Sequence, residues 1–261
     1  LPMPDSAKVV KPRLLHASQW GLIDPVDTPD GSNVGFHKHM AISCYITSGY
    51  SQFPMIEWLD NNLSYKKLNE CTPKYINNNC KLFINGTWIG ILERPYESAR
   101  FLKNSRRFAL IPVMTSISWN IASNEIHIYS DEGRLCRPIY YVNKEFAEKL
   151  KKNDFTWQEL TTGFANKSNY AFNKFYDLQS LYGIDDISKI EGKQAIIDYI
   201  DTAEEENLLI KNDVDELKNN KYITNIEIHP SLLLGVMGNQ VVFPENNQLP
   251  RDLFACGQAK Q

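Results

Sequence analysis

The chain has 261 residues, of which 43% are apolar and 23% charged, an ordinary balance for a globular protein that can bury a core. Its formal net charge of -3 at pH 7 gives no overall attraction for nucleic acid, which argues against a free-standing DNA-binding protein and leaves local contacts only. The five cysteines are scattered without a CxxC spacing, which favours free thiols over a zinc site or a disulfide framework.

The first 40 residues predict a structured loop system. Pro25, Pro29, Gly31 and Gly35 interrupt any helix or long strand. Long irregular loops in compact domains are usually functional or disordered. Apolar anchors favour the ordered alternative here, and they are Trp20, Leu22, Ile23 and Phe36.

The next part of the chain predicts a mixture of strands and helices. Residues 41–47 suit a buried strand, and a short helix is expected to begin at Pro54. Two apolar runs flank Asn85-Gly86, which indicates a hairpin because a type I′ turn needs positive φ at two successive residues. Pro95 is expected to open a basic helix with a modest apolar stripe, formed by Phe101, Leu102, Ser105 and Phe108.

Residues 116–142 predict three strands, with turns at 123–124 and 131–133. In the middle strand, Ile126 and Ile128 alternate with polar or aromatic neighbours, as in a half-buried strand. Residues 144–200 predict polar helix with weak periodicity. The acidic run that follows is interpreted as a solvated surface, and its members are Asp201, Glu204, Glu205 and Glu206.

Two groups of polar residues are candidates for a binding site. The first lies in the N-terminal loop system and comprises Lys11, Arg13, Asp24, Asp27 and Asp30. An arginine with carboxylates on a stiff loop could position phosphates or a mobile partner element. The aspartates could equally cap turns, since Asp next to Pro and Gly does this routinely, and the residues alone favour capping.

The second group lies at the end of the chain and comprises Asn246, Asn247, Gln248, Arg251, Gln258, Lys260 and Gln261. A helix after Pro250 would place Arg251 in its first turn, where the amino end of a helix also favours anions. Such side chains suit phosphate and sugar contacts, but an exposed polar helix explains them equally. His37 and His39 could form a metal pair, although surface or structural histidines are favoured.

Four stretches resemble, in the same order, the signature motifs of one family. They are KPRLLHASQWGLIDPVDTPDGSNVGFHKHMA, INGTWIG, IYSDEGRLCRPIYYV and IEIHPSLLLGVMGNQVVFPENNQLPRDLFACGQAKQ, and together they span nearly the whole chain. The family is the second-largest (β-like) subunit of cellular and viral multisubunit DNA-directed RNA polymerases.

The resemblance implies an α+β fold, a mixed multi-domain segment with small β-rich external domains flanked by partial fork and hybrid-binding regions. Residues 1–46 would end the fork region and residues 47–139 would form the external 1 domain. Residues 140–224 would form the external 2 domain. Residues 225–261 would begin the hybrid-binding domain, which cradles the RNA–DNA duplex.

The resemblance also implies a function in DNA-templated RNA synthesis, by helping to form the nucleotide-addition site and the RNA–DNA hybrid channel. The segment would belong to a nucleotidyltransferase complex without carrying a catalytic residue itself. Mg²⁺ would be bound chiefly by the largest subunit, and this segment is expected to bind no cofactor itself. The expected partners are the largest and smaller polymerase subunits, the DNA template, the RNA–DNA hybrid and nucleoside triphosphates, and no membrane contact is expected.

The alternative is a non-catalytic β-rich interaction module that retains the motifs for folding only. In either case an intracellular location is expected, in the nucleus for a cellular enzyme, or in the host cytoplasm, host nucleus or virion for a viral one.

Site residues follow from the same resemblance. Arg251 matches the arginine that touches the triphosphate of the incoming nucleotide, a role for which a guanidinium fork that holds two phosphate oxygens is suited. Lys260 and Gln261 match positions beside the RNA 3′ region. Arg13 and Asp30 match positions near the nucleotide-addition site and its mobile trigger element.

The chain departs from the family pattern at several motif positions. Asp24 stands where the family usually has Cys, and Asp27 and Asp30 stand where it has Glu, so both carboxylates lie one methylene closer to the backbone. His39 replaces the usual Asn, and Ala259 the usual Gly. These changes affect contact geometry. Together with the Asn-rich external region they suggest a divergent copy, as from a large DNA virus of eukaryotes.

Overall fold

The computed structural model describes residues 9–142, 152, 155–157, 160, 194–212 and 222–260. They form helices and two mixed sheets, which confirms the α+β class. The chain divides into two compact units. Unit 1 comprises Leu1–Tyr45, Leu135–Arg137 and Ile228–Gln261, and unit 2 comprises Ile46–Arg134 and Pro138–Glu227. The predicted boundaries of the four family domains stay a prediction.

The strands are β1 (Tyr45–Ile46), β2 (Lys66–Lys67), β3 (Cys80–Ile84), β4 (Thr87–Leu92), β5 (Ser116–Asn120), β6 (Glu125–Tyr129), β7 (Leu135–Tyr141), β8 (Ile197–Asp201), β9 (Ile210–Lys211) and β10 (Asn225–Ile226). The α-helices are α1 (Gln52–Asn62), α2 (Pro73–Asn78), α3 (Pro95–Arg107), α4 (Thr202–Glu205) and α5 (Leu249–Ala259). None of the helices in the described part of the chain has the length and apolarity needed to cross a bilayer.

Unit 2 contains a five-stranded sheet with the order β2-β4-β3-β6-β5. β3 and β4 form the predicted hairpin, and the turn residues Asn85 and Gly86 have φ angles of 46° and 80°, as a type I′ turn requires. β3 pairs with β6 in parallel, while β5 and β6 are antiparallel. The three strands predicted in residues 116–142 are confirmed as β5, β6 and β7.

The core of unit 2 lies between one face of this sheet and the helices α1 and α3. Ile126 and Ile128 are fully buried, whereas His127 and Tyr129 are only partly buried, which confirms the predicted alternation. The helices contribute Met55, Trp58, Leu59, Ala99 and Leu102. Fully burying a large side chain of this kind stabilises the fold by ~1.5–3 kcal/mol.

The last turn of α3 carries two buried arginines. Arg106 donates to Glu204 through Nη1 to Oε2 (2.6 Å) and Nη2 to Oε1 (3.0 Å). Arg107 donates to Asp198 through Nη2 to Oδ2 (2.7 Å) and Nε to Oδ1 (3.0 Å). Burial alone would raise the pKa of Asp198, but the charges of Arg107 and Arg106 outweigh it and lower that pKa to about 2. The network therefore consists of ionised, hydrogen-bonded partners.

The interpretation of the acidic run as a solvated surface is wrong for two of its members. Asp201 and Glu204 are buried, whereas Glu206 is exposed. Asp201 caps α4 by accepting from the Glu204 N–H, and it also accepts from the Ser116 hydroxyl at 2.7 Å. The partner of Glu204 lies 98 residues earlier in the chain, so the run by itself could not indicate burial.

Three other predictions needed correction. The strand predicted over 41–47 reduces to Tyr45–Ile46, because the preceding segment turns at Ala41–Cys44, and both strand residues are exposed rather than buried. Helix α1 begins at Gln52 rather than Pro54. Within the stretch predicted as helical, 144–200, Ile197–Asp201 is a strand. Most of that stretch lies outside the described residues.

Unit 1 is irregular, as its Pro and Gly content predicts. Its short 3-10 helices are Lys11–Arg13, Ala17–Gln19, Gly31–Asn33, Pro230–Leu233, Gly238–Gln240 and Pro244–Asn246. An antiparallel bridge joins Ile23 to Met40. Beside it, the Ile42 N–H donates to the carbonyl of Leu234 at 2.9 Å. Segments from both ends of the sequence therefore lie side by side in this unit.

Candidate functional site

The N-terminal loop of unit 1 is held in shape by Arg13. Its guanidinium donates to the carbonyls of Ser32 (2.6 Å) and Val34 (3.0 Å) and lies 4.1 Å from the centre of the Phe36 ring. Gly35 is required beside it for two reasons. Its φ is +79°, and a Cβ there would collide with the Arg13 backbone. Arg13 thus acts first as an anchor of the loop.

Asp24 links this loop to the C-terminal segment of the same unit. The carboxylate is buried and accepts from the Val26 N–H (Oδ1, 2.9 Å) and the Gly235 N–H (Oδ2, 2.8 Å). The backbone must come close to make this contact, since a Cβ on Gly235 or Gly238 would lie 2.7 or 2.8 Å from Asp24 Oδ2. The contact joins residues 211 positions apart.

Asp30 has the capping role that its sequence neighbours favour. It is exposed, and its Oδ1 accepts from the Gly31 N–H at 2.8 Å at the start of the 3-10 helix Gly31–Asn33. Thr28 supports the same turn, since its hydroxyl accepts from the Gly35 N–H and donates to the His37 carbonyl, both at 2.8 Å. Turn capping is therefore the observed structural role of Asp24 and Asp30.

Asp27 differs from the other aspartates because it forms an ion pair. Its Oδ1 lies 2.6 Å from Lys260 Nζ, and Lys260 Nζ lies 2.9 Å from His39 Nε2. The Asp27 side chain is only 6% exposed, against 38% for Lys260 and 46% for His39. A nearly buried carboxylate therefore holds a cation that remains open to solvent.

Lys260 follows α5, the helix predicted after Pro250. The helix buries Asp252, Leu253 and Cys256 and leaves Arg251 exposed in its first turn. Burial raises the pKa of the Cys256 thiol, and the carboxylates of Asp27 and Asp24 raise it further, so this thiol stays protonated at neutral pH.

An open cleft of about 450 Å³ lies between the loop and α5 within unit 1. It is lined by Asp27, Thr28, Pro29, Asp30, Leu253, Phe254, Gly257, Gln258 and Lys260. The two groups of candidate residues found in the sequence thus meet here. The cleft thus combines a cation, two carboxylates and an amide with partly apolar walls.

Only some of the predicted site residues lie in this cleft. Lys260 and Asp30 line the cleft, whereas Arg13 and Arg251 are not among its lining residues. Gln261 lies outside the described residues. Sequence reasoning missed the pairing of Asp27 with Lys260 and the burial of Asp24. Gly235 and Gly238, three positions apart, were the available signal for a close approach of backbone and side chain.

In the described part of the chain no group of three or more His, Cys, Asp or Glu could hold a metal ion, so nothing there supports a metal site at His37 and His39. His39 instead faces Lys260 and Asp27. The five cysteines are all described and all are free thiols.

Two family models match the chain. The model for RNA polymerase Rpb2, domain 3, matches residues 3–46, and the model for RNA polymerase Rpb2, domain 4, matches residues 82–143. The first match covers the Pro- and Asp-rich loop, and the second covers most of β3 and all of β4 to β7. The order of the two domains along the chain is the order that the motifs indicate.

Curated relatives extend the match to the rest of the chain. The DNA-directed RNA polymerase II subunit 2 of Arabidopsis thaliana is 29% identical over all of this chain and 21% of its own length. The DNA-directed RNA polymerase III subunit RPC2 of Drosophila melanogaster is 31% identical over 97% of the chain and 20% of its own length. The DNA-directed RNA polymerase subunit 2 of Acanthamoeba polyphaga mimivirus is 30% identical over 97% of the chain and 22% of its own length.

The chain therefore spans about a fifth of the length of the curated relatives it matches. Cellular and viral relatives have similar identities, so the suggestion of a viral origin stays a prediction. The motifs, the two domain models and matches along the whole chain agree on one family. The chain belongs to the family of second-largest subunits of multisubunit DNA-directed RNA polymerases.

Proposed function

We propose that the chain contributes to DNA-templated RNA synthesis by helping to form the nucleotide-addition site and the RNA–DNA hybrid channel of a DNA-directed RNA polymerase. One observation carries the proposal. The loop from the first motif and the helix from the last motif line one cleft, joined by the 2.6 Å contact between Asp27 and Lys260. Residues 233 positions apart thus form a single surface that presents a cation.

Arg251 is proposed to contact the triphosphate of the incoming nucleotide. Its side chain is exposed in the first turn of α5 and has no hydrogen-bond or ion-pair partner among the described residues. An unengaged guanidinium can bind two phosphate oxygens without first breaking an internal contact. The amino end of the helix adds a smaller attraction for negative charge.

The other motif residues are proposed to act around the RNA and the loop. Lys260 and Gln261 would lie beside the RNA 3′ region, where an ammonium group neutralises backbone phosphate. Asp30 would lie near the nucleotide-addition site, at the rim of the cleft that it lines. Arg13 would act near that site through the loop, since its guanidinium already binds the carbonyls of Ser32 and Val34.

The wider assembly is part of the proposal. The expected partners are the largest and smaller polymerase subunits, the DNA template, the hybrid and nucleoside triphosphates, in an intracellular setting. Mg²⁺ would be held chiefly by the largest subunit and would neutralise charge on the reacting phosphates. This segment would place nucleotide and RNA against that centre, so that the 3′-hydroxyl meets the α-phosphate in line.

Single-nucleotide incorporation tests the role of Arg251. In the polymerase assembled with the complete subunit, Arg251→Ala is expected to raise the nucleotide concentration for half-maximal rate about tenfold to hundredfold. The reason is that a hydrogen bond to a charged group contributes ~1.5–3 kcal/mol. Arg251→Lys should restore part of the loss, because an ammonium keeps the charge without the planar fork.

The matched control is Arg94→Ala, which removes another exposed arginine whose surface pair with Glu97 spans 3.3 Å. This variant should incorporate nucleotides as the unmodified enzyme does. Unchanged nucleotide dependence in Arg251→Ala would refute the assignment. Equal defects in both arginine variants would refute it as well, by showing a general loss of fold or charge.

A further inference from the structure

His39 lies where it can control the position of Lys260. Lys260 Nζ is 2.9 Å from His39 Nε2 and 2.6 Å from Asp27 Oδ1, and His39 Nε2 is 3.8 Å from the same carboxylate oxygen. The three groups thus form a compact triangle at one edge of the cleft. His39 is not among the residues that line the cleft, but both of its partners, Lys260 and Asp27, are.

The hydrogen-bond chemistry fixes the state of the imidazole in this triangle. A lysine ammonium has three donors and no acceptor, so His39 Nε2 must accept the hydrogen bond. Nε2 can accept only when the ring is neutral with its proton on Nδ1. The observed geometry therefore corresponds to neutral His39, with the imidazole and the carboxylate both holding the ammonium.

Protonation of His39 reverses this interaction. The ring would then carry hydrogens on both nitrogens, and two cations would share one carboxylate oxygen. The helix end does not compensate, because it favours a cation at Lys260 in both states.

The surrounding titratable groups do not replace Asp27 as partner. Asp24 is committed to the N–H groups of Val26 and Gly235. Cys256 has a raised pKa and stays a neutral thiol. Lys38, next to His39 in the sequence, donates to the Leu14 carbonyl at 3.1 Å. Asp252 belongs to the buried face of α5.

We propose that His39 is a positioning residue for Lys260: in its neutral form it holds the ammonium against Asp27, and in its protonated form it releases it toward the cleft. The inference rests on the proposed function, in which Lys260 approaches the RNA 3′ region. Asn, which the resemblance places at this position in other members, would supply a similar acceptor that does not titrate. The substitution by His therefore adds a dependence on pH.

Chemical labelling of Lys260 tests the positioning itself. In the assembled polymerase without nucleic acid, acetic anhydride labelling of Lys260 would be followed by mass spectrometry from pH 5.5 to pH 8 and compared with His39→Asn. The ratio of labelling in the unmodified enzyme to that in His39→Asn is expected to rise about two- to fivefold toward low pH, the size that a partly exposed ion pair contributes. Asp27→Asn should increase labelling at every pH. A flat ratio would overturn the inference.

A second measurement separates this inference from the proposed function. Nucleotide incorporation would be followed over the same pH range in the unmodified enzyme and in His39→Asn. A pH-dependent difference that disappears when Lys260→Met is added to both supports the two proposals together. A labelling switch without any difference in incorporation would uphold the positioning by His39 and would refute the RNA contact assigned to Lys260.

Discussion

The two units of this chain are stabilised by different means. Unit 2 has an apolar core, which runs from Met55 to Ile128 and lies between a regular sheet and the helices α1 and α3. Unit 1 has short 3-10 helices, and side chains such as Asp24 and Lys260 connect segments more than 200 positions apart. The regular unit can lose a surface contact at little cost, whereas the irregular unit depends on single polar contacts. The residues proposed to contact nucleotide and RNA all belong to unit 1.

The largest expected effect is in unit 2, at its buried ion network. Glu204→Ala would leave the Arg106 guanidinium, 2% exposed, without its bidentate partner. Removing one member of a buried pair costs ~3–5 kcal/mol, so the free energy of unfolding of the full chain should fall by that amount. Urea unfolding would measure it. Glu206→Ala, at an exposed neighbour, should change it by less than ~0.5 kcal/mol.

This prediction tests whether unit 2 depends on its buried ion network in addition to its apolar core. If Glu204→Ala cost no more than Glu206→Ala, the polar network of unit 2 would be dispensable and its apolar core sufficient. Replacing the pair together, with Arg106→Met and Glu204→Leu, should recover much of the stability, because well-packed apolar residues often substitute for a buried ion pair.

Acid should destabilise unit 2 through Asp198. The pKa of this carboxyl is lowered from 3.8 to about 2, so it favours folding above pH 3.8 and the contribution disappears as the pH falls through about 2. The difference corresponds to about 2 kcal/mol. Unfolding measured between pH 5 and pH 2 should show this loss. In Asp198→Asn the loss should be smaller by about this amount but not absent, because the pKa of Glu204 is lowered as well. An undiminished loss in that variant would assign it to the other carboxyls.

The sequence predicted local features of the fold much better than distant ones. The turn at Asn85-Gly86 and the alternation at Ile126 and Ile128 depend on neighbouring residues, and both were confirmed. The burial of Glu204 depends on an arginine 98 positions away, which no local pattern contains. The strand expected at 41–47 is limited to Tyr45–Ile46, since the residues before it turn and the Ile42 N–H donates to the carbonyl of Leu234.

The candidate site shows the same limit. Arg251, Lys260 and Asp30 could be singled out because they stand in motifs. Their partners could not, since the contact between Asp27 and Lys260 spans 233 positions. Residue type alone also gave Asp24 and Asp27 the same interpretation, turn capping. The structure gives them two different roles. Asp24 accepts from two backbone N–H groups, and Asp27 holds a cation.

The most local expected effect sharpens the comparison most, because it isolates unit 1. Asp24→Ala would leave the N–H groups of Val26 and Gly235 without their acceptors, at a cost of ~1–3 kcal/mol for each group that stays buried. Amide hydrogen exchange of the full chain should accelerate in unit 1, at the loop and around Gly235, while β3 and β6 of unit 2 keep their protection. Asp24→Asn retains one acceptor oxygen and should give an intermediate effect. Equal acceleration in both units would mean that they unfold together, and the contrast between an apolar and a polar mode of stabilisation would then not separate them.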